Sequence, residues 1–208
     1  MTHPDLRLHR FALSGHCHRV ELLLSLLGLP FERVDVDLAG GEHRGAAFLA
    51  KNPLGQVPVL EDGPLTLSHS NAILVYLATR YDAERRWLPV DPAAQARVQQ
   101  WLSIAAGQLA FGPAAARAVR LFGSTSDHAR AIATGQALLG SLEQHLVGTE
   151  FLAGDAATLA DVAMYAYVAR APDGDLSLEP CPRVRAWLTR VEALPGFVAM
   201  PEARARAA

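Results

Sequence analysis

The chain of 208 residues is poor in cysteine: it has only Cys17 and Cys181, far apart in sequence. Two lone thiols make no disulfide framework and fit a reducing compartment. Charge of either sign is not in excess, the formal net charge being -2, so nothing points to nucleic acid or another polyanion as partner. No apolar run approaches the ~20 residues that cross a bilayer, and no membrane association is expected. The eight histidines are scattered without the HExxH spacing of a zinc site, so no metal is expected. Met1 to His9 alternates polar and apolar residues and lacks a signal-peptide apolar region, which leaves a cytoplasmic location as the expectation. What is present is apolar bulk. Half the residues are hydrophobic, enough for one large core or two small ones.

The periodicity changes character along the chain. Leu6 to Phe11 reads as a strand that ends in Ser14-Gly15-His16. From Cys17 a helix is expected, because Val20, Leu23, Leu24 and Leu27 fall at helical spacing and Gly28 stops the run. Phe31 to Val36 is a second strand, completing a βαβ unit that favours a parallel pair. Loop and a short helix are expected over Gly40 to Phe48. Val57 to Leu60 and Leu65 to Leu67 then read as a hairpin around Glu61-Asp62-Gly63-Pro64, with a helix from Ser70 to Tyr81. That order, βαβ then ββα, is thioredoxin-like. Residues 1–81 are expected to form this domain, 82–91 a linker, and 92–208 an all-helical domain with helices near Pro92 to Ala118, His128 to Val147, Thr158 to Ala169 and Pro182 to Leu194. Thr158-Leu159-Ala160-Asp161 is a capping box that opens a core helix. Ala157 is small for a hydrophobic staple with Val162, so the start of that helix is expected to be less well fixed.

The stretch with most to say is Asn52-Pro53-Leu54-Gly55-Gln56-Val57-Pro58-Val59-Leu60, followed by Ser68-His69-Ser70-Asn71-Ala72-Ile73. A proline inside an apolar β run removes a ladder donor and is tolerated where backbone groups are exposed rather than paired. A ligand with a peptide backbone can use such groups. The two motifs at this spacing, with the Thr-x-x-Asp box, resemble the glutathione transferases from Leu6 to about Pro195, in their bacterial, serine (theta-like) or beta-like forms. The resemblance implies the glutathione transferase fold, an α/β thioredoxin-like domain plus an all-α domain. It also implies a Val57-cis-Pro58 turn, glutathione as cosubstrate, and a homodimer. By the same resemblance the Val57 backbone pairs with the cysteinyl residue of glutathione, Gln56 contacts its γ-glutamyl part, and Ser70 holds the γ-glutamyl end.

Such chemistry needs the thiol as thiolate. Lowering its pKa by about 2 units takes ~2.7 kcal/mol of differential stabilisation, and one charge-assisted hydrogen bond of ~1.5–3 kcal/mol supplies most of it. Ser14, between the first strand and helix, is the candidate donor, its plainer role being a helix cap. Cys17 competes: in the first turn of a helix its thiol pKa is expected to fall, allowing monothiol chemistry, whereas as a core residue it would be inert. Ser14-x-x-Cys17 lacks the first cysteine of a dithiol motif, so dithiol redox catalysis is disfavoured. Ser70 at a helix start offers a hydroxyl and free amides to a carboxylate, or simply caps. His69 departs from the family, which commonly has Glu or Gln there near the ligand's ammonium; a histidine gives no such ion pair. His16, His18, His43 and Lys51 are candidates for the glycyl carboxylate. Trp101, Ile104, Gln108, Phe111 and Phe122, with Arg117 and Arg120 as anion contacts, are candidates for an acceptor pocket expected between the domains.

The expected activity is attack of a bound glutathione thiolate on a small hydrophobic electrophile. Two alternatives stand beside it: glutathione-dependent reduction of peroxides or disulfides, and a non-catalytic binding or regulatory protein of the same fold.

Overall fold

A computed structural model describes residues 5–203; the first four residues of the Met1 to His9 stretch, and the last five of the chain, lie outside it. The chain divides into two compact units, the first running to Ala83 and regaining Pro195–Glu202, the second covering Glu84–Leu194.

The first unit is built on a four-stranded sheet, β1 (Leu6–Arg10), β2 (Glu32–Asp35), β3 (Val59–Asp62) and β4 (Leu65–Ser68), in the order β2-β1-β3-β4. β1 pairs parallel with β2 and antiparallel with β3, which pairs antiparallel with β4. The helices are α1 (Gly15–Leu26), the single turn α2 (Ala46–Leu49) and α3 (Ser70–Tyr81). The parallel pair and thioredoxin-like order follow the expectation, and β3 starts two residues later than the apolar run suggested. Proline at 58 supplies no ladder hydrogen, so pairing begins at Val59. α1 ends as its glycine predicts: Gly28 takes φ +65 and donates to the Ser25 carbonyl, while Leu29 donates to that of Leu24.

The second unit holds α4 (Pro92–Ala106), α5 (Ala115–Phe122), α6 (His128–His145), α7 (Leu159–Ala169) and α8 (Pro182–Glu192). The single helix expected over Pro92 to Ala118 is two. Pro113 lacks an N–H and its ring crowds the carbonyl four residues back, and the chain answers with a widened π turn over Ala110–Ala114. Gly112 lies so close to α6 that a Cβ there would come within 2.8 Å of the Gly135 nitrogen. The start of α7 is firmly held despite the small Ala157. The fully buried Asp161 carboxylate accepts from the Thr158 amide (2.9 Å), the Leu152 amide (2.9 Å) and the Trp187 indole (2.8 Å). Polar bonds from three segments replace the staple.

Candidate functional site

Strand register brings the singled-out motifs of the first unit to one end of its sheet. His9 lies opposite Val59, and Val59 opposite Ser68. The chain leaving β1 toward Ser14, the chain entering β3 through Gln56, Val57 and Pro58, and the chain leaving β4 through His69 into α3 therefore meet there. Pro58 directly precedes the first paired residue of β3 and His69 directly follows the last of β4, while Ser14 lies four residues beyond Arg10, the last of β1.

Ser14 is the N-cap of α1, its Oγ accepting from the Cys17 amide at 3.3 Å. The Ser14 hydroxyl also interacts with the Cys17 sulfur, and Ser14 is half-buried rather than enclosed. The oxygen serves the cap, and a ligand thiolate would compete with Cys17 for the hydroxyl proton. Cys17 behaves contrary to the expected lowering of its pKa. Its side chain is 0% exposed, and burial pushes the thiol up to about 11, with the Ser14 hydroxyl and the Phe11 amide pulling only partly back. Removal from water outweighs the helix dipole.

Val57 and Pro58 form the one cis peptide among the described residues. The Val57 side chain packs against the buried cluster Val36, Phe48 and Val59, while Gln56 is exposed. Ahead of them Asn52, 2% exposed, spans its own loop: its Nδ2 donates to the Gln56 carbonyl (2.7 Å) and its Oδ1 accepts from the Leu54 amide (3.1 Å).

At α3, His69 is the N-cap residue with φ +65 and ψ 113 and makes no side-chain capping bond. Ser70 is buried, and its hydroxyl accepts from Arg19 Nη1 at 3.3 Å, while Asn71 Oδ1 accepts from the same nitrogen at 2.8 Å. Arg19, 1% exposed on α1, therefore joins the segment carrying Ser14 to the segment carrying Ser70. Burial, then the nearby positive charges of Arg19 and His69, holds the His16 imidazole down to about 3, so it is neutral at physiological pH. The α3 end of the site thus carries positive charge from Arg19 beside the helix N-terminus, an arrangement that receives a carboxylate.

Several expected contacts lie elsewhere. Lys51 is paired with Glu61, which also takes His9 Nε2 at 2.7 Å. His18 is buried with Nε2 2.9 Å from the Val198 carbonyl of the returning C-terminal segment. His43 stays half-buried near the α2 turn. In the second unit Trp101 is a core residue donating to the Leu152 carbonyl (2.7 Å). Arg117 is buried against Asp173 (2.9 Å), Arg120 pairs with Asp175 (3.0 Å), and the Phe122 ring lies 5.9 Å from the Arg117 guanidinium. Of the acceptor-pocket candidates, Gln108 and the exposed Phe111 line a common groove of about 690 Å³, with Gly107, Ala115 and Arg130.

Sequence reasoning missed Arg19 and the use of Asn52. A charged residue directly ahead of the apolar positions Val20 to Leu24 was the available signal for the first; for the second it was an asparagine opening the motif.

Among the described residues no cluster of three or more His, Cys, Asp or Glu could hold a metal ion. Nor is any helix long and apolar enough to cross a membrane.

Known proteins resemble this chain in sequence and fold. Residues 5–79 match the glutathione S-transferase N-terminal domain and residues 104–195 the glutathione S-transferase C-terminal domain. Glutathione S-transferase 3 of Zea mays is 35% identical, over 92% of this chain and 91% of its own. A glutathione S-transferase structure from Pseudomonas fluorescens superposes with a TM-score of 0.89 at 34% identity, over 95% of this chain and 99% of its own. A glutathione transferase homologue of Drosophila mojavensis, solved with bound glutathione, gives 0.82 at 27% identity, over 92% and 89%. With both domain families matched and identity of this level sustained along the chain, the protein belongs to the glutathione S-transferase family.

Proposed function

We propose that the protein activates glutathione and transfers it to a small hydrophobic electrophile, as a cytoplasmic homodimer. Residues 1–81 hold the tripeptide, and 92–208, after the 82–91 linker, contribute the acceptor contacts, with Gln108 and Phe111 as candidates. Ser14 donates a hydrogen bond to the thiolate while keeping its proton. Val57 offers its backbone to the cysteinyl residue, with Pro58 fixing the turn and Gln56 reaching the γ-glutamyl part. Ser70 and the first amides of α3 receive the γ-glutamyl carboxylate, and His69 borders that end without a carboxylate to offer the ligand's ammonium.

The observation that carries this reading is the convergence, at one end of one sheet, of a half-buried hydroxyl, an unladdered Val-Pro turn and a helix N-terminus backed by Arg19. Each suits a different part of one ligand. The enclosure of Cys17 and its raised pKa favour the Ser14 mechanism over disulfide exchange through Cys17.

The test is turnover with glutathione and, separately, an aryl halide, a hydroperoxide and a mixed disulfide. Conjugation of the halide, abolished by Ser14→Ala and not by Cys17→Ala, is the expected result. Hydroperoxide or disulfide turnover without conjugation would establish the reductase alternative, and saturable binding without any turnover the binding protein.

A further inference from the structure

We infer that Asn52 is a positioning residue for the thiol substrate, setting the direction in which the Val57 amide hydrogen is presented. The inference rests on the reading that this site takes a tripeptide thiol, and it concerns a residue that the mechanism above leaves without a role.

The peptide group is planar, and in its trans form the carbonyl and the following N–H point in opposite directions. The Gln56–Val57 bond is trans, since the cis bond is the next one. Its carbonyl is held by Asn52 Nδ2 at 2.7 Å. Fixing that oxygen on a 2% exposed side chain turns the Val57 N–H away from Asn52 and off the loop. The same N–H lies outside the ladder, which starts at Val59, and donates to no protein acceptor among the described residues. It is therefore a donor that the protein aims but does not use.

The rest of the loop leaves little else to adjust. Asn52 Oδ1 accepts from the Leu54 amide, its backbone N–H donates to the Phe48 carbonyl (3.0 Å), and its own carbonyl accepts from the Gly55 amide (2.9 Å). Next to it, Lys51 is tied to Glu61 on β3. On the far side the Val57 side chain is seated against Phe48 and Val59. With both flanks held, the tilt of the Gln56–Val57 peptide plane is the remaining freedom, and Asn52 Nδ2 is what removes it. Preorganising a donor in this way raises affinity by sparing the ordering cost at binding.

Asn52→Asp isolates the effect. It keeps an oxygen for the Leu54 amide and replaces the donor facing the Gln56 carbonyl with an acceptor that repels it. Steady-state kinetics in glutathione are measured for the wild type, Asn52→Asp and Asn52→Ala, each checked for folding by circular dichroism. Both variants are expected to raise KM for glutathione about tenfold, the effect of one hydrogen bond to the ligand, with kcat at saturating glutathione within about twofold of wild type. A folded variant with unchanged KM, or with reduced kcat and unchanged KM, overturns the inference. If neither variant folds, amide NMR of the wild type decides: the Val57 amide signal must shift and exchange more slowly as glutathione is added, and an unaffected signal overturns the inference. Failure of the underlying reading shows itself differently, as a wild type that does not saturate with glutathione at all.

Discussion

Cys17 makes a pH-dependent contribution to stability whose sign and size follow from its burial. The thiol is 0% exposed and is held up to about 11 from an ordinary value of 9.0. In the unfolded chain the thiol loses its proton near 9, while the folded protein keeps it until about 11. Above about pH 9 the folded state therefore binds more protons than the unfolded one, and stability falls as pH rises through this window. Below about pH 8 both states hold the proton and the contribution is constant. Each pKa unit is worth about 1.4 kcal/mol, so the loss grows to about 1.4 kcal/mol at pH 10 and about 2–3 kcal/mol once pH exceeds 11. Urea unfolding of wild type and Cys17→Ala between pH 8 and pH 11 measures it. Other titrating groups are common to both proteins, so the difference between the two curves isolates the thiol. Cys17→Ala should start lower, having left a small cavity at a fully buried position, and should lose less stability as pH rises. An aromatic disulfide reagent at pH 8 should leave Cys17 unmodified in the native protein and modify it in denaturant. Parallel pH curves, or native modification within seconds, would refute the burial argument and restore Cys17 as a candidate nucleophile.

Other substitutions probe the scaffold. Asp161→Ala strands the amides of Leu152 and Thr158 and the indole of Trp187; at ~1–3 kcal/mol per buried unmet donor, urea unfolding should show a loss of about 3–9 kcal/mol, and Asp161→Asn a smaller one. Gly196→Ala should cost about 1–3 kcal/mol in the same assay, because Gly196 sits at φ +87 and a Cβ would lie 2.9 Å from the Ser25 carbonyl oxygen. His69 holds a positive φ without being glycine, so His69→Gly should leave stability unchanged or raise it by up to about 1 kcal/mol in thermal melts. A clear loss would mean that the His69 side chain stabilises the turn.

Much of the first unit was legible because its signals are local. Helix α3 begins at Ser70 and ends at Tyr81 where the pattern placed it, and α1 stops before Gly28. The hairpin turn is tight, as its Asp-Gly pair suggests, with Asp62 pairing opposite Leu65. Less was legible where a residue's meaning depends on a distant partner. Arg117 and Lys51 looked like ligands because their carboxylate partners, Asp173 and Glu61, stand 56 and 10 residues away. Cys17 looked activated because helix position is visible in sequence and enclosure is not. The return of Pro195–Glu202 to the first unit, anchored by Ser25 donating to the Gly196 carbonyl at 2.6 Å, carries no periodic signal. In the candidate site, the motif residues were legible and the residues that aim them, Arg19 and Asn52, were not.

The central claim is that Ser14 stabilises the glutathione thiolate, and ultraviolet absorbance of the thiolate during a glutathione titration near neutral pH tests it most directly. Ser14→Gly serves beside Ser14→Ala, because glycine is well tolerated at the N-cap of α1 and has no side-chain donor. The account predicts a saturable thiolate signal in wild type and in Cys17→Ala, and its loss in both Ser14 variants while calorimetry still detects glutathione bound. A thiolate signal that survives in Ser14→Gly would contradict it.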